Sequence, residues 1–201
     1  MKILFLAPHP FYQDRGSPIA NATLLKFLSE RGNEVDVVTY AEGRDLYYQQ
    51  VKLYRTPDLS FLRKIKPGFS GKKIICDIFL FFQATRLVLS RRYDLVHAVE
   101  ESVFIALAFK VLFKIPYVYD MDSSLVEQLI EKYNFIKYLA PILRVFERTG
   151  VRNAKAVIPV CEALAGYIQK YKPQKVVVLS DVSLLQQPKI EGREVKACQI
   201  D

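Results

Sequence analysis

Short runs of β-branched and aromatic residues alternate with longer segments of helical periodicity along almost the whole chain. The candidate strands are KILFLAP (2–8), EVDVVTY (34–40), VKLYRT (51–56), DLVHAV (94–99), PYVYD (116–120), AVIPV (156–160) and KVVVLS (175–180). The segments between them that predict helices are 18–31, 73–92, 101–113, 123–133, 135–153 and 161–171. Such alternation is typical of a parallel sheet covered by helices on both faces. The sequence therefore predicts an α/β, Rossmann-like, doubly wound and mostly parallel sheet of about seven strands.

Composition and length exclude several other classes of protein. Half of the 201 residues (51%) are hydrophobic and 12% are aromatic. A chain of this size and apolarity buries roughly 70% of its unfolded surface, which excludes disordered, collagen-like and low-complexity proteins. We expect one folded domain over 1–185 and a short, truncated linker or tail over 186–201.

No segment predicts a membrane span, a secretion signal or a disulfide framework. Polar residues interrupt the apolar runs 74–85 and 103–113 before the ~18 residues of a membrane span are reached. The N-terminal MKILFLAPHP lacks the longer apolar region and the cleavage site of a signal peptide. The three cysteines are widely spaced and odd in number, which argues against disulfides and against a cysteine metal site. We expect a reducing, cytoplasmic compartment.

Positive charge is concentrated in the middle of the chain. Lys and Arg number 29 against 21 Asp and Glu, and the net charge is +8. The segment 62–93 contains most of that excess together with many apolar residues and one acid, Asp77. This composition suits an anionic membrane surface, where each basic residue contributes about 1 kcal/mol. The residues expected at such a surface, on the inner face of the plasma membrane, are Arg63, Lys64, Lys66, Lys72 and Lys73.

Besides a membrane surface, this positive charge has two other interpretations. A solvated helix with loose basic flanks accounts for the same residues and remains an equal alternative. Nucleic-acid binding is not expected, because the sequence has no helix-turn-helix, RNP or zinc-finger pattern. The charge also lies in one segment, whereas a single-strand binding platform interleaves basic and aromatic residues.

Three segments that follow strands are the candidates for a functional site. In open α/β sheets, ligands bind beyond the carboxyl ends of the strands. The segments 9–17, 98–101 and 120–124 should therefore converge on one crevice.

The first of these segments, HPFYQDRGSP (9–18), joins a strand to a helix that should begin with Ser17 as N-cap and Pro18 in the first turn. Free backbone N–H groups and the helix dipole favour an anion at Gly16 and Ser17, and His9 and Arg15 are within reach of the same crevice. Neither GxGxxG nor GxxxxGK[ST] is present, so a dinucleotide site and a P-loop are not supported. A plain turn glycine remains the alternative for Gly16.

Carboxylates follow the fourth and fifth strands. Glu100 and Glu101 come at the end of one strand, and Asp120 and Asp122 at the end of the next. Helix capping accounts for some of these acids. Because acids at both crevice-facing ends exceed what capping needs, Glu100 and Asp122 are the candidate ligand-contacting residues, with Asp120 as a weaker member. His97, three residues before Glu100, is expected to pack in the sheet.

Several of these motifs, in this order, resemble the glycosyltransferase family 4-like N-terminal domain of GT-B enzymes. The resemblance covers about 2–185. It rests on KILFLAPHPF with RGSPIANATLLKFLSERGNEVDVVTY, which is similar to the family's glycine loop, helix and "GHEVxVxT" strand. It continues with YDLVHAVEE, similar to "DVVHxH", with IPYVYDMD, and with RNAKAVIPVCEAL, similar to "ADxVIxxS".

The resemblance implies transfer of a sugar from a nucleotide-sugar donor to an acceptor, including a lipid-linked one, usually with retention and without an obligate metal or other cofactor. It implies that Gly16 lies near the donor phosphates and that Glu100 and Asp122 take crevice positions. Asp122 stands where many members have a histidine, and Val99 replaces the second histidine of "HxH". The acid/base assignment of the family therefore does not carry over directly.

The family's second domain, with its basic pair and E-x7-E carboxylates on the donor, has no counterpart before Asp201. The resemblance thus implies the acceptor-binding half of a retaining transferase that is inactive alone. It would be a truncated reading frame, a fragment, or one partner of a split enzyme with a separate C-terminal half. The alternative is a non-catalytic module that binds an anionic or lipid-linked glycan at a membrane surface.

Overall fold

A computed structural model describes residues 1–10, 16–45, 47–63, 70–132 and 137–180. Six parallel strands form one sheet in the order β3-β2-β1-β4-β5-β6. The strands are β1 (Lys2–Ala7), β2 (Glu34–Thr39), β3 (Val51–Arg55), β4 (Leu95–Val99), β5 (Tyr117–Met121) and β6 (Ala156–Pro159). The predicted fold class is confirmed. The strand order reverses between β1 and β4, where a ligand crevice is expected in such sheets.

Within the described ranges, six α-helices lie between or after these strands, close to the predicted segments. They are α1 (Gly16–Glu30), α2 (Gly71–Ser90), α3 (Val103–Phe113), α4 (Leu125–Lys132), α5 (Ala140–Asn153) and α6 (Glu162–Ile168). Helix α1 ends at Glu30, and Gly32, the glycine predicted to terminate it, follows with a φ of 73°, in the left-handed region that glycine adopts without strain. Ser70 caps α2 by accepting a hydrogen bond from the Lys73 amide at 3.3 Å.

The hydrophobic core has two layers because successive strand residues point to opposite faces of the sheet. On one face, Phe5 and Val37 pack with Leu25 of α1. On the other, Leu6 packs with residues of α2, α3 and α5, among them Leu80, Phe109 and Val151. No helix within the described ranges is long and apolar enough to cross a bilayer.

The prediction of a seventh strand over 175–180 is wrong. The Val157 amide donates to Lys175 O at 2.9 Å, and the Leu179 amide donates to Pro159 O at 3.1 Å. Only one bridge, between Val157 and Val176, results. The partner strand β6 has four residues, and the outer side chains Val177 and Leu179 are exposed, so little apolar burial reinforces the pairing. The tail predicted over 186–201 lies outside the described residues.

Candidate functional site

The carboxyl ends of β1, β4 and β5 bring polar side chains to one edge of the sheet, as predicted. Strand β4 ends at Val99 and continues into a 3-10 turn over Glu100–Ser102. Ser102 Oγ fixes this turn by donating to Val99 O at 2.7 Å. Glu100 has a φ of 48°, in the left-handed region that a residue with a side chain seldom adopts. Such backbone strain concentrates at functional sites, where surrounding structure holds it in place.

A cluster of charges, here called the acidic cluster, lies beneath this turn and consists of Lys73, Asp77, Glu100 and Glu101. Lys73 Nζ lies 2.5 Å from Glu101 Oε1 and 3.5 Å from Glu100 Oε2. Asp77, one helical turn after Lys73, accepts a hydrogen bond from Tyr40 OH at 2.5 Å. Three carboxylates thus share one ammonium group, and the ionised cluster carries excess negative charge.

Burial dominates the proton affinities in the acidic cluster. It raises the pKa of Asp77 to about 6. The pKa values of Glu100 and Glu101 also rise, chiefly through burial, and for Glu100 next through repulsion from Glu101. Burial lowers the pKa of Lys73, but attraction to Glu101 and Glu100 outweighs it and the net shift is upward. Lys73 therefore stays charged, and Asp77 is poised to exchange a proton near neutral pH.

A cleft of about 350 Å³, here called the acidic cleft, opens above this cluster. Helices α2, α3 and α4 and the end of β5 form its walls. Its lining residues are Lys73, Ile74, Asp77, Glu100, Glu101, Phe104, Tyr119, Ser123, Leu125 and Gln128. The floor is charged and the walls are largely apolar, so the cleft can hold a hydroxyl-bearing group against the carboxylates while it excludes bulk water.

A second, smaller cleft of about 170 Å³ lies on the α1 side of the sheet edge and is here called the α1 cleft. Asp120 and Asp122 line it together with Asn21 and Ser180. The predicted single crevice is therefore divided: Glu100 lines the acidic cleft, and Asp122 lines the α1 cleft. Burial raises the pKa of Tyr119, and the negative charges of Glu147, Glu100 and Asp122 raise it further.

His9 lies beside these clefts and is held in its neutral form. Its Nε2 is 2.9 Å from the side-chain amide nitrogen of Asn21, and its carbonyl accepts from Thr39 Oγ1 at 2.7 Å. Burial, assisted by the nearby charge of Lys73, lowers the pKa of His9 to about 4, although the hydrogen bond to Pro10 O opposes the shift. A neutral ring accepts the Asn21 donor at Nε2, which leaves the proton on Nδ1.

His97 packs in the sheet as expected, but it also orients a candidate residue. Its ring stacks on Phe5 with centroids 4.5 Å apart. Its Nε2 lies 3.0 Å from Asp120 Oδ2, so the Asp120 carboxylate at the α1 cleft has a fixed direction.

The remaining predicted residues occupy varied positions. Gly16 begins α1 and is exposed, Ser17 is half-buried, and neither lines the two clefts. Arg15, Lys64 and Lys66 lie outside the described residues. Exposed Arg63 pairs with Asp58 through two hydrogen bonds, at 2.9 and 2.5 Å, and this pairing raises its pKa.

The expectation that Lys73 lies at an exposed membrane surface is wrong. Its side chain is only 14% exposed and is committed to Glu100 and Glu101. Lys72, its sequence neighbour, is exposed.

Sequence reasoning missed site roles for Asp77, Tyr40 and Asn21. Asp77 had a usable signal, since it is the one acid of a basic, apolar helix and follows Lys73 by four residues, which places both on one face. Tyr40 and Asn21 had none, because their contacts join residues far apart in the chain. Within the described residues, no group of three or more His, Cys, Asp or Glu side chains is arranged to hold a metal ion.

Comparison with known proteins agrees with this architecture. A model of the family described as Glycosyltransferase Family 4 matches residues 16–180. A solved structure of a sucrose-phosphate synthase from Thermosynechococcus elongatus has a similar fold, with a TM-score of 0.62 and 15% identity over 89% of this chain and 47% of that chain. The chain thus spans about half the length of that structure.

A second structure of that synthase, a shorter chain, gives a TM-score of 0.62 and 14% identity over 92% of this chain and 91% of that one. At these identities the likeness concerns the fold. No curated protein sequence matches this chain significantly.

Proposed function

Because the chain belongs to glycosyltransferase family 4, we propose that it is the acceptor-binding half of a retaining enzyme that transfers a sugar from a nucleotide sugar to an acceptor hydroxyl. The family match agrees with the resemblance inferred from the sequence motifs. The observation that carries the proposal is the acidic cluster on the floor of the acidic cleft. Ionised carboxylates accept hydrogen bonds and donate none, so they suit the hydroxyl groups of a sugar or sugar-like acceptor.

In this proposal, Glu100 and Asp77 receive the acceptor hydroxyl. Lys73 keeps the cluster largely ionised. As the hydroxyl oxygen bonds to the anomeric carbon, the bond from that carbon to the diphosphate breaks and the nucleoside diphosphate leaves. The hydroxyl proton passes to Asp77, whose pKa is raised to about 6. A base with a pKa near the working pH is the efficient choice for such a step. Glu101 balances Lys73 and keeps it from neutralising Glu100 completely.

In this proposal, the nucleotide-sugar donor binds on the α1 side of the sheet's carboxyl edge. Asp120 and Asp122 offer acceptors for sugar hydroxyls, and neutral His9 adds no positive charge there. The N-terminus of α1 at Gly16 and Ser17 favours the donor's phosphates through its free amides and dipole, and Arg15 precedes it in sequence. The remaining donor contacts are assigned to a C-terminal half, and the chain alone should turn over little, since positioning both substrates supplies much of the rate.

A transfer assay tests this proposal. The purified chain is incubated with UDP- and GDP-linked hexoses and an extract of cellular acceptors, with and without the polypeptide encoded after codon 201 in any frame. Mass spectrometry detects the product, and NMR of its anomeric proton reports retention. We expect transfer only when the second half is present.

Two matched variants sharpen the assay. Glu100→Gln should abolish transfer, and Glu131→Gln, at an exposed position of α4, should not change it. Rapid turnover by the chain alone, inversion at the anomeric carbon, or full activity of Glu100→Gln would contradict the proposal.

A second candidate function, a non-catalytic glycan-binding module at a membrane surface, is favoured by the outer face of α2. Ile75, Ile78, Phe82 and Leu89 are exposed there, and exposed Lys72 and Arg86 lie on the same helix. Apolar side chains beside basic ones suit an anionic lipid surface. Flotation with vesicles should then require anionic lipid and weaken with salt. Absence of flotation would exclude the membrane component and leave the first proposal intact.

A further inference from the structure

The acidic cleft continues into a second cavity between α2 and α3. This cavity, here called the apolar groove, has a volume of about 410 Å³. Its lining residues are Ile74, Asp77, Ile78, Phe81, Phe82, Glu101, Ser102, Phe104, Ile105 and Ala108. Four of them, Ile74, Asp77, Glu101 and Phe104, also line the acidic cleft. The two cavities are therefore adjoining parts of one channel that is charged at one end and apolar along its length.

Helical spacing explains the shape of the groove. On α2 the lining residues 74, 77, 78, 81 and 82 repeat every three to four positions, and on α3 Phe104 and Ala108 are one turn apart. Residues 74–82 span about 12 Å of helix, the length of an extended alkyl chain of about ten carbons. Ala108, with its short side chain, keeps the space between the helices open.

Charge complementarity indicates what kind of molecule fits. Around the single ammonium of Lys73, three carboxylates disfavour an anionic group at the polar end but accept hydrogen bonds from neutral hydroxyls. The opposite end leads to Ile78 and Phe82, which are 49% and 63% exposed and lie one helical turn apart on α2, so they extend the apolar surface of the groove towards solvent. An occupant should therefore have a neutral hydroxylated head and a hydrocarbon tail.

We propose that the channel binds a single-chain amphiphile, with its uncharged polyol head in the acidic cleft and its alkyl tail in the apolar groove. This assignment deepens the proposed function and rests on it only for the identity of the reacting hydroxyl. The tail raises the affinity by apolar burial and sets which hydroxyl of the head meets Glu100 and Asp77. The acceptor class would thus be neutral glycolipids and related alkyl polyols.

Calorimetric titration with methyl, butyl, hexyl and octyl β-glucosides, each below its micelle-forming concentration, tests the proposal. The head is constant in this series and only the tail grows. The affinity should increase about twofold to fourfold for each added methylene, as partial to complete burial of that group requires. Glucose itself should bind no better than the methyl glycoside.

Two variants alter the groove and one serves as control. Ala108→Trp fills the groove, and Ile78→Glu places a charge in its wall at an exposed position where folding is little affected. Both should flatten the dependence on tail length while binding of methyl glucoside persists. Val111→Trp adds the same bulk at a position of α3 that is 62% exposed and outside the groove, and it should keep the full dependence. The wild-type chain contains no tryptophan, so the tryptophan fluorescence of Ala108→Trp comes from position 108 alone and reports the filled groove directly.

The outcomes separate the two proposals. An affinity that does not depend on tail length, or the same dependence in Ile78→Glu as in the wild type, overturns the amphiphile assignment. A wild-type dimer that Ile78→Glu dissociates would assign the groove to a second copy of the chain and also overturn it. A normal tail dependence without sugar transfer by the completed enzyme would count against the proposed function alone.

Discussion

Lys73 and Glu101 join helix α2 to the end of strand β4 through a contact of 2.5 Å between Nζ and Oε1. Both side chains are at most 16% exposed, and Glu100 lies 3.5 Å from the same ammonium group. The pair therefore determines how close the strained turn at Glu100 lies to the cleft wall formed by α2. It also keeps negative charge at the place where we propose that an acceptor hydroxyl binds.

Replacement of Lys73 by Met should destabilise the fold strongly, because it leaves buried carboxylates without a counter-charge. Breaking one side of a buried ion pair costs about 3–5 kcal/mol. Without Lys73 the pKa values of Glu100 and Glu101 rise further, so acid protonates these carboxylates and removes their repulsion. The loss in the free energy of unfolding relative to the wild type should therefore be smaller at pH 5 than at pH 7. Urea unfolding at both pH values measures this.

Lys72→Met is the matched control for that variant. Lys72 precedes Lys73 on the same helix but is exposed, so its removal should change the free energy of unfolding by no more than about 0.5 kcal/mol. Equal effects of the two substitutions would mean that the Lys73 pair carries no special stability.

These two lysines also show what the sequence could and could not predict. Strands and helices follow from periodicity, and six strands and the helix order were predicted because each has its own apolar pattern. Lys72 and Lys73 look equivalent in sequence, yet the helix rotates successive residues by about 100°, which turns one to solvent and the other to Glu101. The rotation of α2 about its own axis, relative to the sheet, depends on tertiary packing, which no local sequence pattern encodes. For the same reason, the sequence could not predict that Asn21 contacts His9 or that the crevice is divided into two clefts.

His9 should make the protein less stable in acid. Its pKa is about 4 in the folded chain against an ordinary value of 6.5, so between these values the unfolded chain binds a proton that the folded chain does not. Stability is therefore lost as the pH falls below 6.5, by up to about 2 kcal/mol at pH 5. His9→Gln keeps an acceptor for Asn21 and should be more stable than the wild type at pH 5 but similar at pH 7. Identical pH profiles for the two proteins would contradict a buried, neutral His9.

Asp77 should affect the pH dependence of stability in the opposite direction to His9. Its pKa is raised from 3.8 to about 6 by burial, so the folded chain binds the extra proton between these values and loses stability as the pH rises through them. Asp77→Asn, whose side-chain oxygen still accepts from Tyr40, should be more stable than the wild type at pH 7 by about 1–3 kcal/mol. The difference should vanish near pH 4, and transfer by the completed enzyme should fall. A variant that is less stable at pH 7 would show that the ionised carboxylate supports the fold.

Glu100 should show a conflict between stability and function. Its φ of 48° costs roughly 1–2 kcal/mol for a residue with a side chain, and glycine adopts the same backbone without this cost. Glu100→Gly also removes one charge from a cluster in which the carboxylates repel. We expect a gain of about 1 kcal/mol in the free energy of unfolding, after the larger chain entropy of glycine is subtracted, together with loss of acceptor binding.

Lys114→Gly is the control, because Lys114 has a φ of 60° at the end of α3 and is exposed, far along the helix from the acidic cleft. It should gain similar stability in thermal and urea unfolding while octyl glucoside binding stays unchanged. If Glu100→Gly bound the glucoside as well as Lys114→Gly does, the strained carboxylate would have no role in the site, and its backbone conformation would need a purely structural cause.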